Sequence, residues 1–131
     1  MACSYRVDPE HRLVLFRPSG RFTESDFLDL CRAAYEHPER TPQFAHVWDA
    51  RFIDELVMNA NVIPLYREFL AENKPRITED QVAVIATRPM TETFASMLVQ
   101  IGEHQSATFR LFSTPEAAAE WLGRPVEALS H

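Results

Sequence analysis

Polar side chains follow three apolar segments of this sequence, at the points where each segment gives way to a helix signal. They are Asp49, Arg51, Thr87, Arg88 and Ser113, with Thr114 beside the last. Guanidinium groups and hydroxyls near helix N-termini could hold an anion, because a helix N-terminus offers unpaired N–H groups and a favourable dipole. Ligands of open α/β sheets bind beyond the carboxyl ends of the strands. We therefore expect a ligand-binding site at these residues.

The same residues also have a structural interpretation. Asp49 can pair with an arginine, and Thr91 and Ser113 are of the residue types that cap helices. An enzyme built on Asp49, Arg51 and Arg88 would need a carboxylate or histidine with a shifted pKa in a cleft. The sequence contains no spacing that predicts such a group. Ligand binding and structural contacts both stay open here, and an enzyme is the weakest hypothesis.

Other kinds of site find no support in the residue spacing. The five histidines form no H-E-x-x-H pattern, and His46 lies in an apolar run, where a histidine is usually a hydrogen-bonded core residue. Cys3 and Cys31 form no paired motif, and Cys31 falls on the apolar stripe of a predicted helix. No G-x-S-x-G elbow or glycine-rich phosphate loop is present. We predict no catalytic residue, no metal and no cofactor.

Strands and helices alternate along the chain. The apolar runs carry apolar residues on both faces, which is what a largely parallel sheet covered by crossover helices requires. The predicted strands are residues 5–7, 12–18, 44–48, 82–86 and 107–112. The fold class is therefore α/β, with a mixed, mostly parallel five-stranded sheet and about four helices in the order ββαβαβαβα.

Capping residues and apolar spacing set the helix boundaries. The expected caps and ends are Thr23 or Ser25, Thr91, Ser113 and Gly123. The second helix covers about residues 62–73. The inner faces of the second and third helices are expected to consist of Leu65, Tyr66, Phe69 and Leu70, and of Phe94, Met97, Leu98 and Ile101.

Residues 50–60 are predicted to form a loop or a short helix of the length often used for binding loops. Their apolar side chains, with Tyr66 from the next helix, are the candidates for an interface or an apolar pocket: Phe52, Ile53, Leu56, Met58 and Tyr66. A partner subunit or a hydrophobic ligand could cover such a segment. Alternatively, it folds onto its own sheet, as apolar residues usually do.

Length and charge limit the partners. The 131 residues fit a single domain, 1–131, with a core over about 5–122. The formal net charge of -6 repels nucleic acid and anionic membrane surfaces, and no stretch approaches the roughly 20 apolar residues that span a bilayer. We expect no nucleic-acid partner and no membrane insertion, and two unpaired cysteines favour the cytoplasm.

Several short patterns resemble those of a known bacterial group. They are Gly20 after a hairpin, Asp49-Ala50-Arg51 after an apolar strand, the strand 81–85, and Phe109-Arg110-Leu111-Phe112 followed by residues 116–122. Together they resemble the SpoIIAA-like group of STAS/SEC14-related domains over about residues 5–122. The resemblance implies a SpoIIAA-like fold and a bacterial protein of unassigned function.

The resemblance also implies modes of action. Related anti-sigma-factor antagonists carry a phosphorylatable serine after the strand that Asp49 ends here, but no serine or threonine occurs between Thr41 and Thr78. A phosphate switch at that loop is therefore not expected. We expect a non-catalytic STAS-like module that binds a protein partner or forms a homodimer. The alternatives are a binder of a small apolar or lipid-like molecule and, more weakly, an enzyme.

Overall fold

The strands and helices follow one another in the predicted alternation, with two strands more than expected. The computed structural model describes residues 3–39, 44–58, 62–72, 81–102 and 108–130. The strands are β1 (Ser4–Asp8), β2 (Leu13–Arg17), β3 (Ser19–Thr23), β4 (Ala45–Asp49), β5 (Phe52–Val57), β6 (Gln81–Ile85) and β7 (Thr108–Phe112). The helices are α1 (Glu24–Tyr35), α2 (Val62–Glu72), α3 (Pro89–Gly102) and α4 (Pro115–Leu122), followed by a 3₁₀ turn (Val126–Leu129).

Five strands form the main sheet in the order β1-β2-β4-β6-β7. β1 is antiparallel to β2, and all the other pairs are parallel. The three inner strands, β2, β4 and β6, are buried along almost their whole length, because helices cover both faces of the sheet. The predicted mostly parallel five-stranded α/β sheet is confirmed.

The segment predicted as a loop or short helix is instead strand β5. It pairs in parallel with β3, which the sequence did not predict, and the two form a separate two-stranded ladder. The chain passes from β2 into β3 after Pro18 and from β4 into β5 after Ala50 and Arg51. The ladder therefore extends the β2–β4 pair beyond the edge of the main sheet. Its register shifts between Gly20 and Arg21, and Gly20 has a φ of 64°.

The core consists of two layers, one on each face of the main sheet. Aromatic rings dominate the layer under α1, α2 and α3, where Phe16 stacks on Trp48 with the ring centroids 4.0 Å apart. Small aliphatic residues form the other layer, under α4 and the 3₁₀ turn. Its members include Leu13, Leu15, Val47, Ile85, Ala118, Ala119, Leu122 and Leu129.

Hydrogen bonds tie the first hairpin to the C-terminal segment. The Arg6 guanidinium donates to the carbonyl of Ala128 (2.7 Å) and of Ser130 (3.0 Å). From the other side, Arg124 donates to the carbonyls of His11 (2.8 Å) and Arg12 (3.0 Å). These bonds hold the 3₁₀ turn over the hairpin, so the second core layer closes only when both are in place.

A side-chain hydroxyl bonds to the backbone at the start of three helices, as predicted, but at only one of them is the N-cap a predicted residue. Thr23 is the N-cap of α1, in a capping box with Asp26. Thr91 is not a cap: its hydroxyl lies in the first turn of α3, where it accepts from the Arg88 N–H and donates to the Arg88 carbonyl. The N-cap of α4 is Thr114 rather than Ser113, because the Thr114 hydroxyl accepts from the Ala117 N–H.

Leu65, which was expected on the inner face of its helix, is not buried. Leu65 of α2 is 44% exposed, while Val62, Tyr66 and Phe69 of the same helix face the core. Leu111 is 38% exposed because β7 is an edge strand. The side chains of Leu70 and Ile101 lie outside the described residues, and so do residues 59–61, 73 and 107, for which the sequence also makes predictions. No helix among the described residues is long and apolar enough to cross a bilayer.

Candidate functional site

The carboxyl ends of β4, β6 and β7 lie side by side at one edge of the main sheet. The Ala50 N–H donates to the Ile85 carbonyl (2.9 Å), and the Ala86 N–H donates to the Phe112 carbonyl (3.0 Å). These bonds continue the parallel pairing one step beyond each strand. The polar residues that follow the three strands are therefore brought to the same edge, as the sequence predicted from the alternation of strands and helices.

Asp49 and Arg51 form a two-point ion pair at this edge. Arg51 donates from Nε to Asp49 Oδ1 and from Nη2 to Asp49 Oδ2, both at 2.8 Å, and its backbone N–H donates to Oδ1 at 3.3 Å. Asp49 is 1% exposed, whereas the Arg51 side chain keeps 30% of its surface in solvent. The hydrogen bond to Asp49 raises the pKa of Arg51 and outweighs the lowering by burial.

Arg88 completes this group from the start of α3. Its Nη2 donates to the Arg51 carbonyl at 3.3 Å. Arg51 therefore contacts both Asp49 and Arg88. Thr87 and Ser113, the other two candidates, are exposed, and within the described residues neither hydrogen-bonds to this group. Glu116, in the first turn of α4, is near enough for its charge to raise the pKa of Arg51.

Arg17 also belongs to the site, although the sequence did not identify it. It ends β2, and because Phe16 is paired with Trp48, Arg17 lies level with Asp49 on the neighbouring strand. Its guanidinium carbon is 4.3 Å from the centroid of the Phe52 ring, and that of Arg51 is 5.4 Å from the same centroid. We refer to Arg17, Arg51 and Arg88, with the Phe52 ring that the first two contact, as the arginine cluster.

The charges of the arginine cluster are only partly compensated. Asp49 neutralises Arg51, but Arg17 and Arg88 have no carboxylate partner among the residues that the structure describes. The Arg17 Nε is buried and has no hydrogen-bond partner there. A locally positive edge thus occurs in a chain whose formal net charge is -6.

The five residues expected at an interface or an apolar pocket separate into two kinds. Ile53 and Tyr66 are buried in the core and are not available to a partner. Phe52 is 43% exposed, and Leu56 and Met58 are half-buried against the core. Val57, another apolar residue of the same strand, is 36% exposed.

Aromatic rings fill the space between the sheet and the helices, where an apolar ligand would have to bind. The Phe27 ring lies 4.8 Å from Tyr66, 5.1 Å from Trp48 and 5.7 Å from Phe94, centroid to centroid. Burial raises the pKa of the Tyr66 hydroxyl well above its usual value. A ligand in this space would have to displace rings that already pack on one another.

The surface of the described residues includes two depressions that are open to solvent. One, of about 340 Å³, is lined by Glu24, Glu55, Leu56, Val57 and Met58 at the end of β5. The other, of about 130 Å³, lies between α1 and α2, where Leu28, Leu65 and Phe69 form an apolar floor beside charged residues. Both are shallow surface features and not enclosed cavities.

One group of side chains has the composition of a metal site. Asp8, Glu10 and His11 bring one potential ligand atom each within 4.8 Å of the others, at the turn after β1. The Asp8 carboxylate already binds the His11 ring at 2.7 Å and accepts from the His11 N–H at 3.2 Å. These contacts account for the cluster as a turn structure, and we assign no metal to it.

Comparisons with known proteins give one informative result. No protein-family model matches the chain, and no curated protein matches it. Among solved structures, it is similar to the crystal structure of an uncharacterised protein of the DUF3478 family, with a SpoIIAA-like fold, from Shewanella loihica PV-4. The TM-score is 0.58 at 15% sequence identity, and the match covers 92% of each chain. The chain has a SpoIIAA-like fold.

The SpoIIAA-like fold confirms the architecture expected from the sequence resemblance. At 15% identity the likeness concerns the fold alone, and it transfers no ligand or partner. In this chain the end of β4 and the two residues after it read Asp49-Ala50-Arg51 and carry no hydroxyl side chain. In this chain that position holds the Asp49–Arg51 ion pair and leads directly into β5.

Proposed function

We propose that the chain is a non-catalytic STAS-like module that binds another protein through the outer surface of β5. One observation carries the proposal. Four large apolar side chains stand out as exposed among the described residues, and two of them, Phe52 and Val57, belong to this six-residue strand. Among the described residues β5 pairs with β3 alone, so in that part of the chain no strand adds to its other edge. An extended segment of a partner can add to such an edge.

The candidate acids and bases are already engaged in structural contacts, which supports a non-catalytic role. The Asp49 carboxylate accepts three hydrogen bonds from Arg51 and is buried. His46 is also buried, and its Nδ1 lies 2.9 Å from the Tyr35 hydroxyl. Neither group lies free in a cleft, where general acid or base chemistry would need it.

The charges on β5 favour a different protein over a second copy of this chain. Asp54 and Glu55 occupy the middle of the strand and are exposed. If β5 paired antiparallel with β5 of another copy, these acidic side chains would face one another, and like charges in that position are destabilising. A partner strand with basic residues at the facing positions would be attracted instead. We therefore expect an extended partner segment that alternates basic and apolar residues.

The depression at the end of β5 supports the same partner chemistry. It is lined by the apolar side chains of Leu56, Val57 and Met58 together with the acidic residues Glu24 and Glu55. A lysine or arginine side chain suits this arrangement, because its methylene stem packs on apolar surface while its charge stays near the carboxylates.

Two unpaired cysteines also suit the reducing cytoplasm, where we propose that the module acts.

Selection from a displayed library of random peptides tests the proposal. We expect the selected peptides to be rich in alternating basic and apolar residues, and to bind the wild-type chain with an affinity measurable by fluorescence anisotropy. Val57→Ser should weaken binding about fivefold, which corresponds to a loss of ~1 kcal/mol of apolar burial. Glu55→Lys should abolish it, because it reverses a charge at the centre of the surface.

Leu65→Ser is the matched control, because Leu65 is also a large exposed apolar residue but lies on α2. It should leave peptide binding unchanged. If peptides enriched on the wild-type chain bind the Val57 and Glu55 variants as tightly as the wild type, β5 is not the binding surface and the proposal fails.

A further inference from the structure

We infer that the arginine cluster is a binding site for an oxyanion, that is, a phosphate or carboxylate group. The site is formed where the ends of β2 and β4 meet the start of α3, and its binding groups are the guanidinium groups of Arg17 and Arg88 beside the fixed pair of Arg51 and Asp49. It shares Phe52 with the β5 surface, but its binding groups are guanidinium groups outside β5, so it would bind a free anion whether or not a protein partner exists.

Charge is the first argument. Asp49 accepts three hydrogen bonds from Arg51, so its single negative charge is already matched by one guanidinium. Arg17 and Arg88 therefore leave two positive charges without a carboxylate partner in the described part of the chain. Asp49 offsets only one of the three guanidinium charges, and an anion bound beside the other two would offset more of the remaining positive charge.

Desolvation of Arg17 is the second argument. Its Nε is shut off from solvent without an acceptor, and its guanidinium rests on the Phe52 ring at 4.3 Å. Solvent screens a partly buried charge less than an exposed one, so its attraction for an anion is stronger than that of an ordinary surface arginine. The Phe52 ring accepts no conventional hydrogen bond, so this contact leaves the guanidinium N–H donors to a ligand.

Preorganisation is the third argument. Asp49 holds Arg51 by two bonds of 2.8 Å, the Arg51 carbonyl holds Arg88 at 3.3 Å, and Phe52 supports Arg17. Side chains that are already ordered lose little entropy when a ligand binds. Paired N–H donors of a guanidinium match two oxygens of a phosphate or carboxylate, which a lysine cannot do.

Glu116 gives the site an internal competitor. It is exposed at the first turn of α4, and its charge acts on Arg51. Because the Glu116 carboxylate is negatively charged, it repels an anion that binds beside Arg51 and so lowers the affinity of the site for that anion. Removing it should therefore tighten anion binding, a change in the opposite direction from the loss of an arginine.

Titration of the whole chain with inorganic phosphate, followed by nuclear magnetic resonance, tests the inference. The Nε–Hε signals of arginine report directly on the guanidinium groups. At constant ionic strength set with sodium chloride, we expect saturable shifts of the Arg17 and Arg88 signals. Parallel titrations with O-phosphoserine and with acetate distinguish free phosphate, a phosphorylated side chain and a carboxylate as the preferred source of the oxyanion.

Variants of matched charge decide the outcome. Arg17→Gln and Arg88→Gln should each weaken phosphate binding about tenfold, equivalent to about 1.4 kcal/mol, and Glu116→Gln should strengthen it. Arg67→Gln removes the same charge from the exposed face of α2 and should change nothing. If Arg17→Gln fails to fold, Arg88→Gln decides alone, because Arg88 does not support the Phe52 ring.

The inference is overturned if the shifts grow linearly with phosphate in the wild-type chain, or if Arg88→Gln and Arg67→Gln bind phosphate equally. This titration contains no peptide, so its failure leaves the β5 proposal standing. Val57→Ser, which tests β5, should keep full phosphate binding, so the two proposals can fail independently.

Discussion

Replacing Asp49 by asparagine should destabilise the protein by ~2 kcal/mol. The change keeps the size of the side chain, but it puts an amide where a carboxylate accepts two side-chain bonds of 2.8 Å from Arg51. Hydrogen bonds to charged groups contribute about 1.5–3 kcal/mol each, and breaking a fully buried pair costs about 3–5 kcal/mol. Arg51 keeps 30% of its side chain in water and can be rehydrated there, which places the expected cost below that range.

Urea unfolding followed by tryptophan fluorescence measures this cost. Trp48 precedes Asp49 on β4, is 1% exposed and stacks on Phe16. Its fluorescence therefore changes when β4 unfolds. With a urea dependence of about 2 kcal/mol per molar, the midpoint should fall by about 1 M. The slope itself should not change, because the variant exposes no additional surface in either state.

A double-mutant cycle with Arg51→Met isolates the pair. We expect the two substitutions together to cost less than the sum of the single ones, with a coupling of about 1.5–3 kcal/mol. Glu55→Gln is the matched control, because Glu55 and Arg21 form an ion pair whose side chains are 57% and 67% exposed, and the loss of such a pair costs about 0.5 kcal/mol or less. A cost for Asp49→Asn as small as that of the control, or strict additivity with Arg51→Met, would refute the structural role of the pair.

Three further measurements test other parts of the fold. Burial raises the pKa of the Cys31 thiol well above its usual value, so in native buffer an aromatic disulfide reagent should label Cys3 and reach Cys31 only as the protein opens; rapid labelling of both would contradict the packing. Burial alone would raise the pKa of Asp8, but its hydrogen bonds to His11 and the nearby positive charges outweigh burial and lower it. A carboxyl with a lowered folded pKa stabilises the protein above its unfolded pKa of about 4, and this contribution is lost as the pH falls through the lower folded pKa. Unfolding of the wild type below pH ~4 should therefore depend on pH more steeply than that of Asp8→Asn, and equal slopes would show that the Asp8 contacts do not matter. Gly123→Ala should lower stability by ~1 kcal/mol in thermal unfolding, because φ is 69° there and an added Cβ meets no other atom within 4 Å, so backbone strain is the whole effect; an unchanged melting temperature would argue against the left-handed cap.

The sequence contains enough information to place Asp49, Arg51 and Arg88 together. Apolar runs buried on both faces predict parallel strands, and parallel strands end at the same edge. Arg17 could not be placed by the same argument, because its contribution depends on β2 being the direct neighbour of β4 in the sheet. Strand order is set by how all the helices pack, and no local pattern encodes it.

Strand β5 escaped prediction for a local reason. Its sequence, Phe52-Ile53-Asp54-Glu55-Leu56-Val57, lacks the alternation of apolar and polar residues that marks a half-buried strand. The structure shows the cause: Ile53 pairs with Gly20 and Glu55 with Arg21, which leaves Asp54 as an extra residue in the ladder. A bulge of this kind shifts the alternation of inward- and outward-facing residues by one position, so the sequence loses the pattern that marks a strand.

The bonds that tie the first hairpin to the C-terminal segment have a consequence for biosynthesis. Leu13 and Leu15 leave the ribosome early, but Ala118, Leu122 and Leu129, which cover them, are made more than a hundred residues later. Until then these residues of the C-terminal segment do not cover that side of the nascent sheet, and contacts between residues so far apart in sequence form slowly. A growing chain is therefore exposed to aggregation or to chaperone capture until residues 115–130 have emerged and closed over the hairpin.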